Sequence, residues 1–386
     1  MNRTHFDQII DNYAAQFVEL NTGDNNEVYK WEIAAEFHPM MDAALAADDT
    51  DFPAKLAAVV LLTKQTIDNG AELAFYALAD YARRELQAAR EVRDALHQLL
   101  TPDGGDLEVR TQCFTEFLNF CESMRAKYYP DSWRYRASIR LPMMITGFYD
   151  PDHYYMYKAS QAQAYADCVE FYDNWGSGMN MDLRIYHRMC DELVAAIKTR
   201  DDLLAAKDSR VKYAKKPLHP DTELHILAFD IIYCCTAYHL FEGIHYSVRN
   251  AAEKKAYREK INEARNAESK YTEVLKQLER LVYVEAFFAE KLSVGSAVTH
   301  KRFGVGTITG LSGKVIEVQF SGLDYPSTLV WHDCVKTGLL SFKTEENAAE
   351  YDELVTLLRQ AEVIRKNAAI AEKKLEQYAE YLQFDE

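Results

Sequence analysis

The sequence predicts a mainly α protein: a helical body followed by a long helical hairpin that carries a small SH3-like β-barrel. Three observations predict it. Apolar residues recur at three and four over most of the first 250 positions, the spacing of a helix with one buried face. The last 40 residues hold an unbroken heptad seam. Between 293 and 343 the period drops to two and glycines punctuate the chain, as in short strands joined by tight turns.

The elements follow in order. Residues 1–126 read as a helical domain. Phe6, Ile9, Ile10, Tyr13, Phe17 and Leu20 form one stripe, and Asn21–Asn26 breaks it. A second helix from about Glu27 is expected to stop at Phe37-His38-Pro39, because the residue before a proline disfavours helix. Stripes continue through 56–62, 73–81 and 86–100. Thr101–Asp106 is a break, and a helix is expected over 113–124.

Residues 127–250 form a second, aromatic-rich helical domain that could share a core with the first. Helices are expected over 159–172 and 183–198. Lys215–Asp221 reads as a loop, with Asp221 or Thr222 as a cap. A single buried helix is expected over 224–248, where the chain is nearly apolar. Residues 251–292 read as one long polar helix, 293–343 as the barrel and 344–386 as the heptad helix. Leu354, Leu357, Ala361, Ile364, Ala368, Ala371, Leu375, Tyr378 and Leu382 make its seam. It is expected to pack antiparallel on the 251–292 helix. The same seam could instead join two chains as a homodimer.

Charge narrows the function classes. The net charge is −16, with 60 acids against 44 Lys/Arg. That opposes broad binding to nucleic acid or anionic membrane. The barrel segment reverses the sign: five Lys/Arg against three acids give it +2. No run approaches 18 apolar residues, and Met1–Asp7 lacks a signal pattern. The seven cysteines form no C-x-x-C, so reduced thiols and a cytoplasmic location are expected.

Motifs for chemistry are missing. There is no G-x-x-x-x-G-K-[ST], no G-x-S-x-G, and no cysteine with a histidine partner in sequence. Glu242-x-x-His245, with His239 one turn earlier, has the spacing of a carboxylate-bridged di-iron ligand pair, but no second copy exists. These two residues are the weak metal candidates. No catalytic residue and no cofactor are expected.

The barrel segment runs Val294-Gly295-x-x-Val298-x-His300-Lys301-Arg302-Phe303-Gly304-x-Gly306-x-Ile308, with Val318-x-Phe320 later. It resembles the Tudor-like, SH3-fold domain at the C-terminus of superfamily 1 DNA helicases and the related RNA-polymerase-interacting domains. The resemblance implies a contact module. In it Val298 and Ile308 fill the core, Gly304 and Gly306 permit a bend, and His300, Lys301, Arg302 and Lys314 are the candidate contacts.

A second, thinner pattern spans about residues 27–235. Tyr29-Lys30-Trp31 followed by Phe37, then Tyr129-Pro130-Asp131, Arg136-x-Ser138, Asp150-x-x-x-Tyr154-Tyr155-x-Tyr157-Lys158 and Leu227-x-x-Asp230-Ile231-Ile232-Tyr233 resemble the N-terminal, non-motor region of AAA+ GTPase subunits of methylcytosine-specific restriction systems. There a motor usually follows; here barrel and heptad helix stand in its place. The resemblance implies a non-enzymatic accessory, recognition or scaffold role in a phage-defence or restriction complex, with DNA or a motor or nuclease protein as partner. Arg134, Arg136, Arg140 and Lys158 beside the aromatics at 149–157 are the second set of candidate contacts, although such clusters more often form core. Two other readings stay open: an adaptor for RNA polymerase or a helicase, and a metal-dependent nuclease.

Overall fold

The computed structural model describes residues 1–23, 26–68 and 72–382. Met1–Lys255 forms one compact unit and a second begins at Ala256. The chain is mainly α, with one small curled antiparallel sheet in the second unit.

The first unit holds α1 (Arg3–Leu20), α2 (Tyr29–Leu45), α3 (Phe52–Leu62), α4 (Ala74–Arg84), α5 (Leu86–Leu100), α6 (Leu107–Tyr128), α7 (Arg140–Tyr149), α8 (Ala159–Cys168), α9 (Leu183–Ile197), α10 (Asp201–Ser209) and α11 (His225–Ala237). One apolar core runs from Phe6 to Leu240, so 1–126 and 127–250 share it. The first stripe is buried as its spacing predicts: Phe6, Ile9, Ile10, Tyr13, Phe17 and Leu20 all face inward.

α8 ends at Cys168, four residues short of the expected 172, where Glu170 turns to a positive φ of +56°. Four larger differences each have a visible reason. α2 runs through Pro39 to Leu45. Proline forfeits one helical hydrogen bond, but Phe37, Met41 and Ala44 on either side are fully buried. The His38 ring also stacks on Tyr149 at 4.1 Å, and its Nδ1 lies 2.7 Å from the Tyr149 carbonyl. α6 starts at Leu107, because the Asp106 carboxylate accepts from Glu108 N and Val109 N. α7 begins at Arg140, where no helix was expected, and buries Leu141 to Phe148 on every side.

The fourth difference is the largest. α11 stops at Ala237 instead of continuing to 248. His239 and Gly243 adopt positive φ, +59° and +81°. The carbonyls of Leu240 and Glu242 accept from Asn12 Nδ2 at 2.8 and 3.0 Å, replacing helical donors. At its start, α11 is capped by Asp221, whose carboxylate accepts from Ile226 N and Leu227 N, both at 3.0 Å.

The second unit contains most of α12 (Ala251–Lys291), the barrel, α14 (Ala348–Glu376) and the short α15 (Ala379–Leu382). The strands are β1 (Ala297–His300), β2 (Gly304–Ser312), β3 (Val315–Phe320), β4 (Ser327–Val330) and β5 (Leu340–Ser341), with α13 (Trp331–Lys336) before the last. They pair antiparallel in the order β4-β3-β2-β1-β5. Val298, Ile308, Ile316, Val318, Phe320 and Trp331 fill the interior. α12 and α14 form the expected antiparallel hairpin. Leu281, Val284 and Phe288 meet Tyr351, Leu354, Leu358 and Ala361 in the same core. Leu358, not Leu357, takes the fully buried place. Arg280 binds Glu353 through two nitrogens at 2.7 Å, and Tyr378 Oη donates to Glu263 at 2.9 Å.

The two barrel glycines do different work. Gly304 has φ +76°, a conformation side chains resist. Gly306 has ordinary φ, but a Cβ there would lie 2.6 Å from Phe320 Cδ1 and 2.7 Å from Val318 Cγ1. Gly306→Ala is therefore expected to destabilise the barrel by about 1–3 kcal/mol through overpacking. Chemical denaturation with hydrogen exchange of the β2 and β3 amides checks this, and unchanged protection would refute it.

Candidate functional site

The β1–β2 turn is the first place to test. His300 closes β1 by pairing with Gly304 on β2. Its ring points inward, stacked on Phe303 at 4.6 Å and edge-on to Phe320 at 5.6 Å. Its Nδ1 accepts from Arg302 N and Phe303 N at 3.2 and 3.3 Å. His300 thus braces the turn and is buried. The Lys301 backbone N donates to the Leu339 carbonyl at 2.7 Å, which fixes the turn from the other side. So held, the side chains of Lys301 and Arg302 reach solvent. Neither forms an ion pair among the described residues, and the Arg302 guanidinium lies 5.6 Å over the Phe303 ring.

Lys314 is exposed in the β2–β3 turn, at the opposite end of β2. Its carbonyl accepts from Trp331 N. The four barrel candidates therefore do not form one patch: Lys301 and Arg302 make a pair, Lys314 stands apart and His300 is structural. The other two barrel cations are engaged, Lys336 with Glu362 and Lys343 with Asp352. Between the two turns the outward sheet face is nearly uncharged. It shows Ala297 and Thr299 of β1, Val305, Thr307 and Thr309 of β2, and Thr328 and Val330 of β4, with Glu317 as its acid. Val305 is 61% exposed.

The second set of candidates is dispersed. Arg134 and Arg136 are exposed beside the short turn Trp133–Tyr135. Arg140 is half-buried, bonded to Glu72 at 2.9 Å and to the carbonyls of Thr66 and Ile67. Lys158 lies 4.4 Å over the Tyr233 ring. Burial, aided by the nearby charges of Lys30 and Arg140, pulls its pKa down to about 8. Tyr154, Tyr155 and Tyr157 are buried, Tyr149 is half-buried, and His153 is exposed beside Asp150. Tyr155 Oη donates to Asp191 at 2.7 Å, Trp175 Nε1 donates to Tyr157 Oη, and Tyr154 is held by Arg110 and Asp103.

Glu242 and His245 lie in the chain after α11, not on one helical face, and both are exposed. Among the described residues no group of three His, Cys, Asp or Glu side chains is arranged to hold a metal ion.

No protein-family model, curated protein or solved structure matches the chain. Among the described residues, no helix is long and apolar enough to cross a membrane.

Two buried clusters escaped the sequence reading. In one, Lys30 on α2 is fully buried and ion-pairs with Asp230 of α11 and, at 2.6 Å, with Glu27. Tyr13 Oη donates to Asp230 at 2.6 Å and accepts from Arg210 at 2.9 Å. Arg210 lies 3.6 Å over the Trp31 ring, and Trp31 Nε1 donates to Asp221. Burial opposes the Lys30 charge, but Asp230 and Glu27 outweigh it and hold its pKa above the usual lysine value. Lys30, Trp31, Asp230 and Tyr233 were legible as motif residues; that they meet was not. In the other cluster, Tyr155 lies between His187 and His225, with ring distances of 5.0 and 3.9 Å. Burial, then the proximity of His225, lowers the His187 pKa to about 4.

Each cluster yields a prediction. Lys30→Ala leaves Asp230 and Glu27 buried without their cation, and the loss expected is about 3–5 kcal/mol of stability. Urea unfolding measures it; a loss below about 1 kcal/mol would mean the pair is dispensable. His187 takes a proton near pH 6.5 when unfolded but only near pH 4 when folded. The folded state thus binds fewer protons between those values. Its contribution is complete above pH 6.5 and is lost as pH falls toward 4, by about 3 kcal/mol in all. His187→Gln should flatten the fall in stability between pH 7 and 4.5, and an identical slope in both proteins would exclude His187 as its source.

Proposed function

We propose that this chain is a non-enzymatic, DNA-associated accessory protein, and that its barrel touches DNA through Lys301 and Arg302. The observation that carries the reading is the β1–β2 turn: two adjacent cations, unpaired, braced by a buried histidine, on a chain of net charge −16. Acidic surface elsewhere repels a duplex, so contact is confined to where the sign reverses. The resemblance of residues 27–235 to the non-motor region of restriction GTPases supports a place in a restriction or phage-defence complex. A motor or nuclease partner would then supply the chemistry, and this chain the recognition or scaffold.

A second reading keeps the barrel and changes its target. The nearly uncharged outward face with Val305 and Val330 suits a protein surface, which favours an adaptor for RNA polymerase or a helicase.

DNA binding by the intact chain at about 50 and 200 mM salt separates them. Each phosphate contact contributes a salt slope of about 0.9. Replacing both Lys301 and Arg302 by Ala should weaken binding and reduce the slope by about 2. His300 stays untouched, because it holds the turn. Absence of binding at both salt concentrations would defeat the DNA reading and leave the protein partner.

A further inference from the structure

The first unit has a half-open cavity of about 540 Å³ between α3 and α4, unrelated to the barrel. That volume lies within the range of small-molecule sites. Ala57 and Ala58 of α3 and Ala79 of α4 leave the space, because none reaches across it. Val60, Leu61, Leu73 and Tyr76 complete an apolar lining. Leu61 is 71% exposed and Tyr76 41%, so both offer apolar area to a ligand entering the cavity.

Two cations stand at this apolar surface. Lys64 follows the end of α3, and Arg83 lies two turns after Tyr76 on the same face of α4. Both are exposed, and neither has a hydrogen bond or ion pair among the described residues. The neighbouring Arg84, in contrast, binds Asp80. Among the described lining residues the one acid, Asp68, is already used. Asp68 accepts from Phe75 N at 3.1 Å and Tyr76 N at 2.8 Å, which caps α4. Burial raises its pKa to about 6, so it gives up its charge readily beside a bound anion.

We infer that this cavity binds an amphipathic anion, an alkyl or acyl chain ending in a carboxylate or phosphate, with the chain between α3 and α4 and the head group on an unpartnered cation of the lining, Lys64 or Arg83. Apolar lining alone would take any oily molecule; unpartnered cations in the lining select an anionic head. A cavity of this size, lined from two adjacent helices and the segment joining them, favours a small molecule over a docked peptide helix.

Calorimetric titration of the full chain with dodecanoate, dodecyl phosphate and dodecanol tests it. Saturable binding of either anion is expected, with dodecanol at least tenfold weaker. The stronger anion identifies the head group. Each methylene removed from the chain should cost about fourfold in affinity, from ~0.8 kcal/mol per buried CH₂. Replacing Lys64 and Arg83 together by Ala should weaken the anions about tenfold or more. Ala57→Trp should fill the cavity and abolish binding. If that variant melts early, the surface double variant carries the test. Absence of binding, equal affinity for dodecanol, or indifference to the double variant would overturn the proposal. So would binding of an acidic amphipathic peptide in place of all three ligands.

Discussion

The first unit is organised around one buried cation. Lys30 sits where no water reaches, and its ammonium needs partners from distant parts of the chain. Asp230 comes from 200 residues away, Glu27 from the turn before α2, and the Tyr233 ring covers it at 4.1 Å. Moving such a charge out of water costs several kcal/mol unless it is met by acids and hydrogen bonds in good geometry. The requirement propagates. Asp230 needs Tyr13, Tyr13 needs Arg210, and Arg210 needs the Trp31 face and Asn21. Trp31 in turn bonds Asp221, which caps α11 and so positions Asp230. The chain of dependence closes on itself, tying α1, α2, the turn after α10 and α11 into one arrangement.

The barrel solves a smaller problem by different means. Its core is a handful of side chains, so each contact matters more. The Gly306 backbone gives room for Phe320, and Phe320 gives His300 an edge to pack against. His300 then replaces the missing ladder bonds at the β1–β2 turn with its own Nδ1. The histidine that looks from sequence like part of a basic loop is therefore what presents that loop. This division, an inward brace followed by two outward cations, explains how adjacent residues in one tripeptide have unlike roles.

Legibility followed the reach of the forces. Stripes such as Phe6–Leu20 are local patterns, and burial followed them; in the tail seam Leu354, Ala361, Ile364 and Ala368 are buried, while Leu358 takes the place expected of Leu357. The barrel was readable because Val298, Ile308, Val318 and Phe320 alternate with polar residues and glycines mark the turns. Failures arose where a distant group decided. Pro39 stays in a helix because the core on either side outweighs one lost bond. The apolar run after Ala237 bends away because Asn12 claims its carbonyls, and with the helix goes the spacing that made Glu242 and His245 look like ligands. The aromatics at 149–157 and the cations near them were visible as a cluster, but only the fold shows that rings turn inward while Arg134 and Arg136 remain outside.

What distinguishes a binding surface on so acidic a chain is a cation with nothing to neutralise it beside apolar surface. Many lysines and arginines are spoken for: Lys30 in the core, Arg110 with Asp103, Arg140 with Glu72, Arg280 with Glu353. A paired cation offers a partner little, because its own acid must first be displaced. Lys301 and Arg302 beside Phe303 and Val305 are not so encumbered, nor are Lys64 and Arg83 beside Leu61 and Tyr76. At each place an incoming anion gains charge and contact area together, against surroundings that repel it. On a chain of net charge −16 the surface as a whole repels anions, so cations without an acidic neighbour stand out against it.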